Sequence, residues 1–172
     1  MSECGCAEVR RHTCVEMLLA ASHWRFTMFK HILIPTDGSK LSEEAVKQGV
    51  RFAHSIGARI TCFHAVPRFS TSEVMMELLE TTRGDYAKAV LAYASEHLRH
   101  LSKIAQAAGV PCDVAHTTSD DPAGEIIKAA EAKGCDLILM ASHGRRGIHG
   151  LLLGSETQKV LTHSRIPVMV YR

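Results

Sequence analysis

CDLILMASHGRRGIHGLLLGSET, residues 135–157, carries three signals in succession. Leu137-Ile138-Leu139-Met140 is a short apolar run of the kind a buried parallel strand shows. A polar loop with Gly144, Gly147 and Gly150 follows at once, then Gly154 and Ser155. Beyond them Val160 and Leu161 begin one face of a helix. Ser155-x-x-Gln158 fits a capping box, which predicts Ser155 as the residue that caps this helix. Strand, glycine loop and helix N-terminus together form the layout of an anion site. First-turn N–H groups point outward, the helix dipole favours negative charge, and glycine lets a ligand approach the backbone. The spacing is neither the P-loop GxxxxGK[ST] nor the dinucleotide fingerprint GxGxxG. General motifs alone therefore predict an anion near Ser155 and no more.

Working outward, the chain alternates between strand and helix signals. Phe29–Pro35 reads as a first strand and runs into the turn cluster Pro35-Thr36-Asp37-Gly38-Ser39. A helix is predicted from about Ser42, with Glu43 and Glu44 suited to its positive end, and Gly57 closes it. Arg59–Val66 is a second strand, stopped by Pro67. A long helix is predicted from Asp85 to Ala108, and Val110–Thr117 as a third strand. Asp121-Pro122 is a strong helix start, with Asp at the cap and Pro in the first turn. Ile166–Tyr171 forms a fifth strand. Residues 68–84 are polar and read as a flexible lid or insert with a short helical segment.

Strand and helix alternating in this way imply parallel pairing through right-handed crossovers. The expected fold is α/β: a doubly wound, five-stranded parallel sheet with helices on both faces. Ligands of such sheets bind beyond the carboxyl ends of the strands, where the strand order reverses. If strands one and four flank that point, Asp37 and the 141–155 loop face one crevice. A sugar hydroxyl would then bond to Asp37 while phosphates lie on the loop.

Composition excludes several alternatives. At 172 residues the chain suits one core rather than two domains. A formal charge of +2 makes no demand for nucleic acid or an acidic membrane surface. Aromatics at 5% argue against a base-stacking surface. No apolar run has the length of a membrane span. Cys62, Cys112 and Cys135 fall in or beside strand runs, where free thiols behave as small hydrophobes, so a reducing cytoplasm is the expected compartment. Residues 1–27 show no strand pattern and read as a mobile N-terminal extension to a domain at 29–172. Their Cys4, Cys6, His12 and Cys14 match no standard zinc spacing, and no metal site is expected there.

From residue 29 to 172 the chain resembles the universal stress protein family. HILIPTDGS followed by SEEAV is typical of its start. ATP-binding members carry G-x2-G-x9-G-[ST] after strand four. Here the run is Ala141-x2-Gly144-x9-Gly154-Ser155, with Ala141 in place of the first glycine. The resemblance implies a Rossmann-like fold akin to the adenine nucleotide alpha hydrolases. It implies that Asp37 holds the ribose hydroxyls, with Pro35 and Thr36 shaping the floor. Val66 would meet adenine through its backbone, and Met140 would pack near the base. Ala141, His143, Gly144, Arg145, Gly154, Ser155 and Thr157 would surround the phosphates, His143 through its backbone. Arg145 and Arg146 would pair with phosphate oxygens.

The same resemblance implies ATP, with Mg²⁺, as the ligand. It also implies a cytoplasmic homodimer joined antiparallel along the last strand, with Val168 and Val170 in the seam. Such a protein would be a stress-response regulator acting on an unknown protein partner, with at most slow ATP hydrolysis. Three rival readings stand beside it. A phosphoacceptor receiver domain would need an acidic pair before Asp37 and an Asp closing strand three, and both are missing. A hydrolase would need a GxSxG elbow, and no helix here follows one. A stress-linked interaction module without nucleotide would account for Ala141.

Overall fold

The structure, a computed structural model, describes residues 28–66, 80–144 and 153–172, with residues 80–87 and 90 described by their backbone alone. The elements in chain order are β1 (His31–Pro35), α1 (Lys40–Ile56), β2 (Arg59–Val66), α2 (Glu80–Ala107) and β3 (Cys112–Thr118). There follow α3 (Pro122–Ala132), β4 (Leu137–Ala141), α4 (Ser155–His163) and β5 (Val168–Tyr171). The five strands form one sheet in the order β3-β2-β1-β4-β5, and every pairing is parallel. The expected α/β fold is therefore present, and the order reverses between β1 and β4 as a doubly wound sheet requires.

β1 and β4 are buried along their whole length, which explains their unbroken apolar sequences. Their side chains alternate between two cores. Ile32, Ile34, Leu137 and Leu139 pack with Val46, Val50, Leu98 and Leu101 under α1 and α2. Leu33, Ile138 and Met140 pack with Ile126, Ala130 and Val160 under α3 and α4. Each fully buried Leu or Ile contributes roughly 1.5–3 kcal/mol relative to exposure. Gly49 lets α1 lie close on β1, since a Cβ there would come 2.5 Å from Ile34 Cδ1.

Several boundaries differ from the sequence reading for local reasons. β1 begins at His31 rather than Phe29, and the Asp136 carboxylate accepts from the N–H groups of Lys30 and His31 at this end. α1 begins at Lys40, before Ser42, because Ser39 is the cap: its hydroxyl accepts from Ser42 N–H at 3.2 Å. α2 begins at Glu80 rather than Asp85. β3 starts at Cys112 because the Pro111 carbonyl already accepts from Ile60 N–H, and Pro111 has no donor of its own. β5 starts at Val168, after a turn in which Ser164 Oγ accepts from Ile166 N–H. The helix start at Asp121-Pro122 is as read: Asp121 Oδ1 accepts from Gly124 N–H at 3.2 Å. The extension at 1–27 and most of the 68–84 insert lie outside the described residues.

Candidate functional site

The turn after β1 supplies one wall of the crevice. Thr36 N–H still donates to Phe63 on β2, at 2.8 Å, so the turn leaves the sheet only after Thr36. Gly38 follows at φ +75°, a conformation that favours glycine. The Asp37 carboxylate is fixed by Ser39 N–H, which donates to Oδ1 at 3.0 Å.

Beneath Asp37 lies a chain of buried hydroxyls. Ser42 donates its proton to the Ser39 carbonyl at 2.9 Å, so it accepts from Thr36 Oγ1, 3.0 Å away. Thr36, its own proton used, accepts from His97 Nε2 at 3.2 Å. His97 in turn sets Nδ1 3.7 Å from the Glu43 carboxylate and stacks on Tyr93 with ring centroids 6.2 Å apart. Thr36 is thus a structural floor whose hydroxyl is spent inside the protein. His97 and Ser42 hold it there, and the sequence reading assigned neither to the site. His97 sits on the apolar stripe of α2 between Ala94 and Leu98, and that polar residue among buried neighbours was the available signal.

The end of β4 supplies the other wall. Ser142 N–H donates to the Tyr171 carbonyl at 2.7 Å, and its own carbonyl accepts from Gly154 N–H at 2.8 Å. Thr157 Oγ1 donates to the Ala141 carbonyl at 3.0 Å. These bonds bring both ends of the glycine loop to one place beside β1. Gly144 then lies so close to Asp37 that a Cβ would collide with its Oδ2. At Gly154 a Cβ would approach the His143 Cα to 3.2 Å. A larger residue would press on the Asp37 carboxylate at Gly144 and on the His143 backbone at Gly154, and neither glycine has a positive φ.

One local expectation is corrected. Ser155 is not the cap of α4: Gly154 is, and no side chain caps this helix. The capping box does not form because Gln158 Nε2 donates instead to the Leu153 carbonyl, at 2.7 Å. The residue actually in the third helical position is Thr157, and its hydroxyl is committed to β4. Among the described residues the cap of α4 therefore offers no side-chain acceptor to the first-turn N–H groups, the geometry that favours an anion.

Pro35, Thr36, Asp37, Ala141, His143, Gly144, Gly154, Ser155 and Thr157 fall at the facing ends of β1 and β4. Val66 ends β2, where its carbonyl accepts from Ser119 N–H at 2.9 Å. Met140 is 6% exposed and belongs to the core under α3 and α4. Ala141 adopts no positive φ, and its methyl joins the opposite core, under α1 and α2. The side chain that replaces the family's glycine is thus absorbed by the interior. Arg145 and Arg146 lie outside the described residues.

The sequence model described as the universal stress protein family matches residues 28–172. This chain belongs to that family. Universal stress protein MJ0531 of Methanocaldococcus jannaschii is 32% identical over 155 residues, covering 84% of this chain and 83% of that one. The solved structure of MJ0577, from the same organism, superposes with a TM-score of 0.69 at 29% identity, over 83% of this chain and 95% of that one. A universal stress protein solved in complex with cAMP shares the fold, with a TM-score of 0.56 at 21% identity, over 84% of this chain and 96% of that one. Among the described residues of this universal stress protein, no helix is long and apolar enough to cross a membrane.

Proposed function

We propose that this universal stress protein binds ATP in the crevice between β1 and β4 and acts as a regulator whose state depends on nucleotide occupancy. The observation that carries the reading is the convergence of Asp37, Gly144 and the uncapped start of α4 at the switch point of the sheet. Asp37, held by Ser39 N–H, would accept from the ribose hydroxyls. Gly144, Gly154, Ser155 and Thr157 would offer backbone N–H groups to the phosphates, with Ala141, His143 and Arg145 completing that rim. Pro35 and Thr36 would form the floor, with Val66 and Met140 on the adenine side. In support of this reading, Gly144 lies against the Asp37 carboxylate, Gly154 lies against His143, and among the described residues no side chain bonds at the cap of α4. That a relative of the same fold was solved with cAMP supports an adenine nucleotide here.

ATP would arrive with Mg²⁺ on its phosphate oxygens. The reading is a binder with at most slow hydrolysis. In the cytoplasm it would work as a homodimer, with β5 as the seam. That strand lies at the edge of the sheet with Met169 39% exposed, and a second copy would cover it.

Calorimetric titration of Mg²⁺-ATP tests the site. Micromolar affinity is expected for the natural chain. Asp37→Ala should weaken it by about 1.5–3 kcal/mol, the worth of hydrogen bonds to a charged group, with the fold intact by circular dichroism. Gly154→Val should weaken it as much or more. Unchanged affinity in both variants would exclude this crevice as the nucleotide site.

A further inference from the structure

Two thiols outside the crevice lie against one another. β2 and β3 pair with Ile60 opposite Cys112 and Cys62 opposite Val114. Cys62 and Cys112 therefore share the face under α2, one step apart on the diagonal. Their sulfurs are 4.0 Å apart, the separation of a thiol–thiol hydrogen bond.

The two environments differ in the way a reactive pair requires. Cys62 has no exposed surface and packs among Ile60, Leu98 and Leu101. Cys112 lies on an edge strand that pairs only with β2 among the described residues, and it is partly exposed. When neutral, Cys112 has two acceptors within reach of its proton, Cys62 Sγ at 4.0 Å and the Asp113 carbonyl at 3.4 Å. Burial keeps Cys62 protonated, and its S–H in turn favours a thiolate at Cys112. The hydrogen bond between them, with burial, raises the Cys62 thiol well above its ordinary range, and the same bond lowers Cys112. Cys135, which lacks a thiol neighbour among the described residues, is pushed up by burial to about 11.

We propose that Cys62 and Cys112 form a reversible thiol–disulfide pair, with Cys112 the sulfur that meets a hydroperoxide and Cys62 the sulfur that resolves it. The Cys112 thiolate attacks the distal peroxide oxygen, the O–O bond breaks, and the alcohol or water leaves with one proton. Cys112 becomes a sulfenic acid, oxidised by two electrons while the peroxide is reduced. Cys62 then attacks that sulfur, the S–O bond breaks, and the hydroxyl leaves as water with the Cys62 proton. The sum is two thiols and one hydroperoxide giving one disulfide, one alcohol and one water. A thiol reductant reverses it. The sulfurs must close from 4.0 Å to about 2 Å. The side that moves is β3, which among the described residues pairs only with β2 and exposes Asp113, Val114, His116 and Thr118.

The test treats the reduced full-length protein with hydrogen peroxide, blocks remaining thiols with iodoacetamide, and maps peptides by mass spectrometry without reduction. The expected product is one linked peptide joining Cys62 to Cys112, two hydrogens lighter than its parts, found in the monomer and abolished by dithiothreitol. Cys62→Ser, nearly isosteric, should instead leave a sulfenic acid at Cys112 that dimedone traps. Before oxidation, iodoacetamide at pH 7 should label Cys112 about tenfold faster than Cys135. Sulfinic acid at Cys112 without the linked peptide, or equal labelling of Cys112 and Cys135, would overturn the assignment.

Discussion

At the amino ends of β1 and β4 the chain closes on itself, whereas at the carboxyl ends of the same two strands it holds polar groups facing a crevice. At the amino end, the Asp136 carboxylate accepts from Lys30 N–H at 2.8 Å and from His31 N–H at 3.0 Å. The His31 ring lies 2.8 Å from Thr61 Oγ1 and 3.1 Å from the Lys133 carbonyl. At the carboxyl end, the Ser39 backbone N–H fixes Asp37 and the Thr157 hydroxyl tethers the loop, but the cap residue of α4 is a glycine that makes no side-chain bond. α3, which also starts at that end, is closed twice over. Asp121 caps it from within, and Glu156 of α4 accepts from Ala123 N–H at 3.0 Å. α3 thus has two carboxylates on its first turn, whereas the cap of α4 is a glycine with no side-chain bond among the described residues. The negative charge of Glu156, in the first turn of α4, is directed at its neighbour and away from its own N-terminus.

Substitutions at the closed positions should cost stability and leave ligand affinity alone. Asp136→Ala should have the largest effect, about 2–3 kcal/mol by urea unfolding, because it strips a charged acceptor from two backbone donors. ATP affinity of the folded fraction should not change, and a drop there would break the separation between the two ends. Asp121→Ala should cost about 1 kcal/mol as a lost cap. It too should leave calorimetric affinity as it was, which would sharpen the difference between α3 and α4.

The smallest effect concerns acid. Burial, then the nearby Arg59 guanidinium, lower the His31 pKa below its ordinary 6.5. The fold therefore favours the neutral ring, and the unfolded chain takes up the proton first. This contribution to stability is complete above pH 6.5 and is lost as pH falls below 6.5 toward the lowered value. Unfolding followed from pH 7.5 to 5 should show a shallower decline for His31→Gln than for the natural chain. Parallel curves would remove His31 from the account.

The parts of this fold legible in sequence were those whose causes are local. β1 and β4 announced themselves as short apolar runs because both faces of each are buried. Asp121-Pro122 marked the start of α3 because cap and first turn are adjacent residues. Asp37 and Gly144 were nameable from their motifs, but their contact depends on a strand order that only the folded sheet displays. The support behind them was hidden for the same reason. His97 reaches Thr36 across 61 positions, and Asp136 reaches His31 across 105. Ser155 fits a capping box because that pattern lies within one helix, whereas Thr157 bonds to β4 and Gln158 to Leu153.

The paired bonds Gly154–Ser142 and Thr157–Ala141 have a consequence for engineering. They join the end of β4 directly to the first turn of α4, so residues 142 and 154 are held as a fixed pair of anchor points. Replacement sequences can be grafted between such anchors with little thermodynamic cost, since each doubling of a closed segment costs only about 0.6 kcal/mol. The sequence between these anchors can therefore be exchanged while the frame that holds it stays intact.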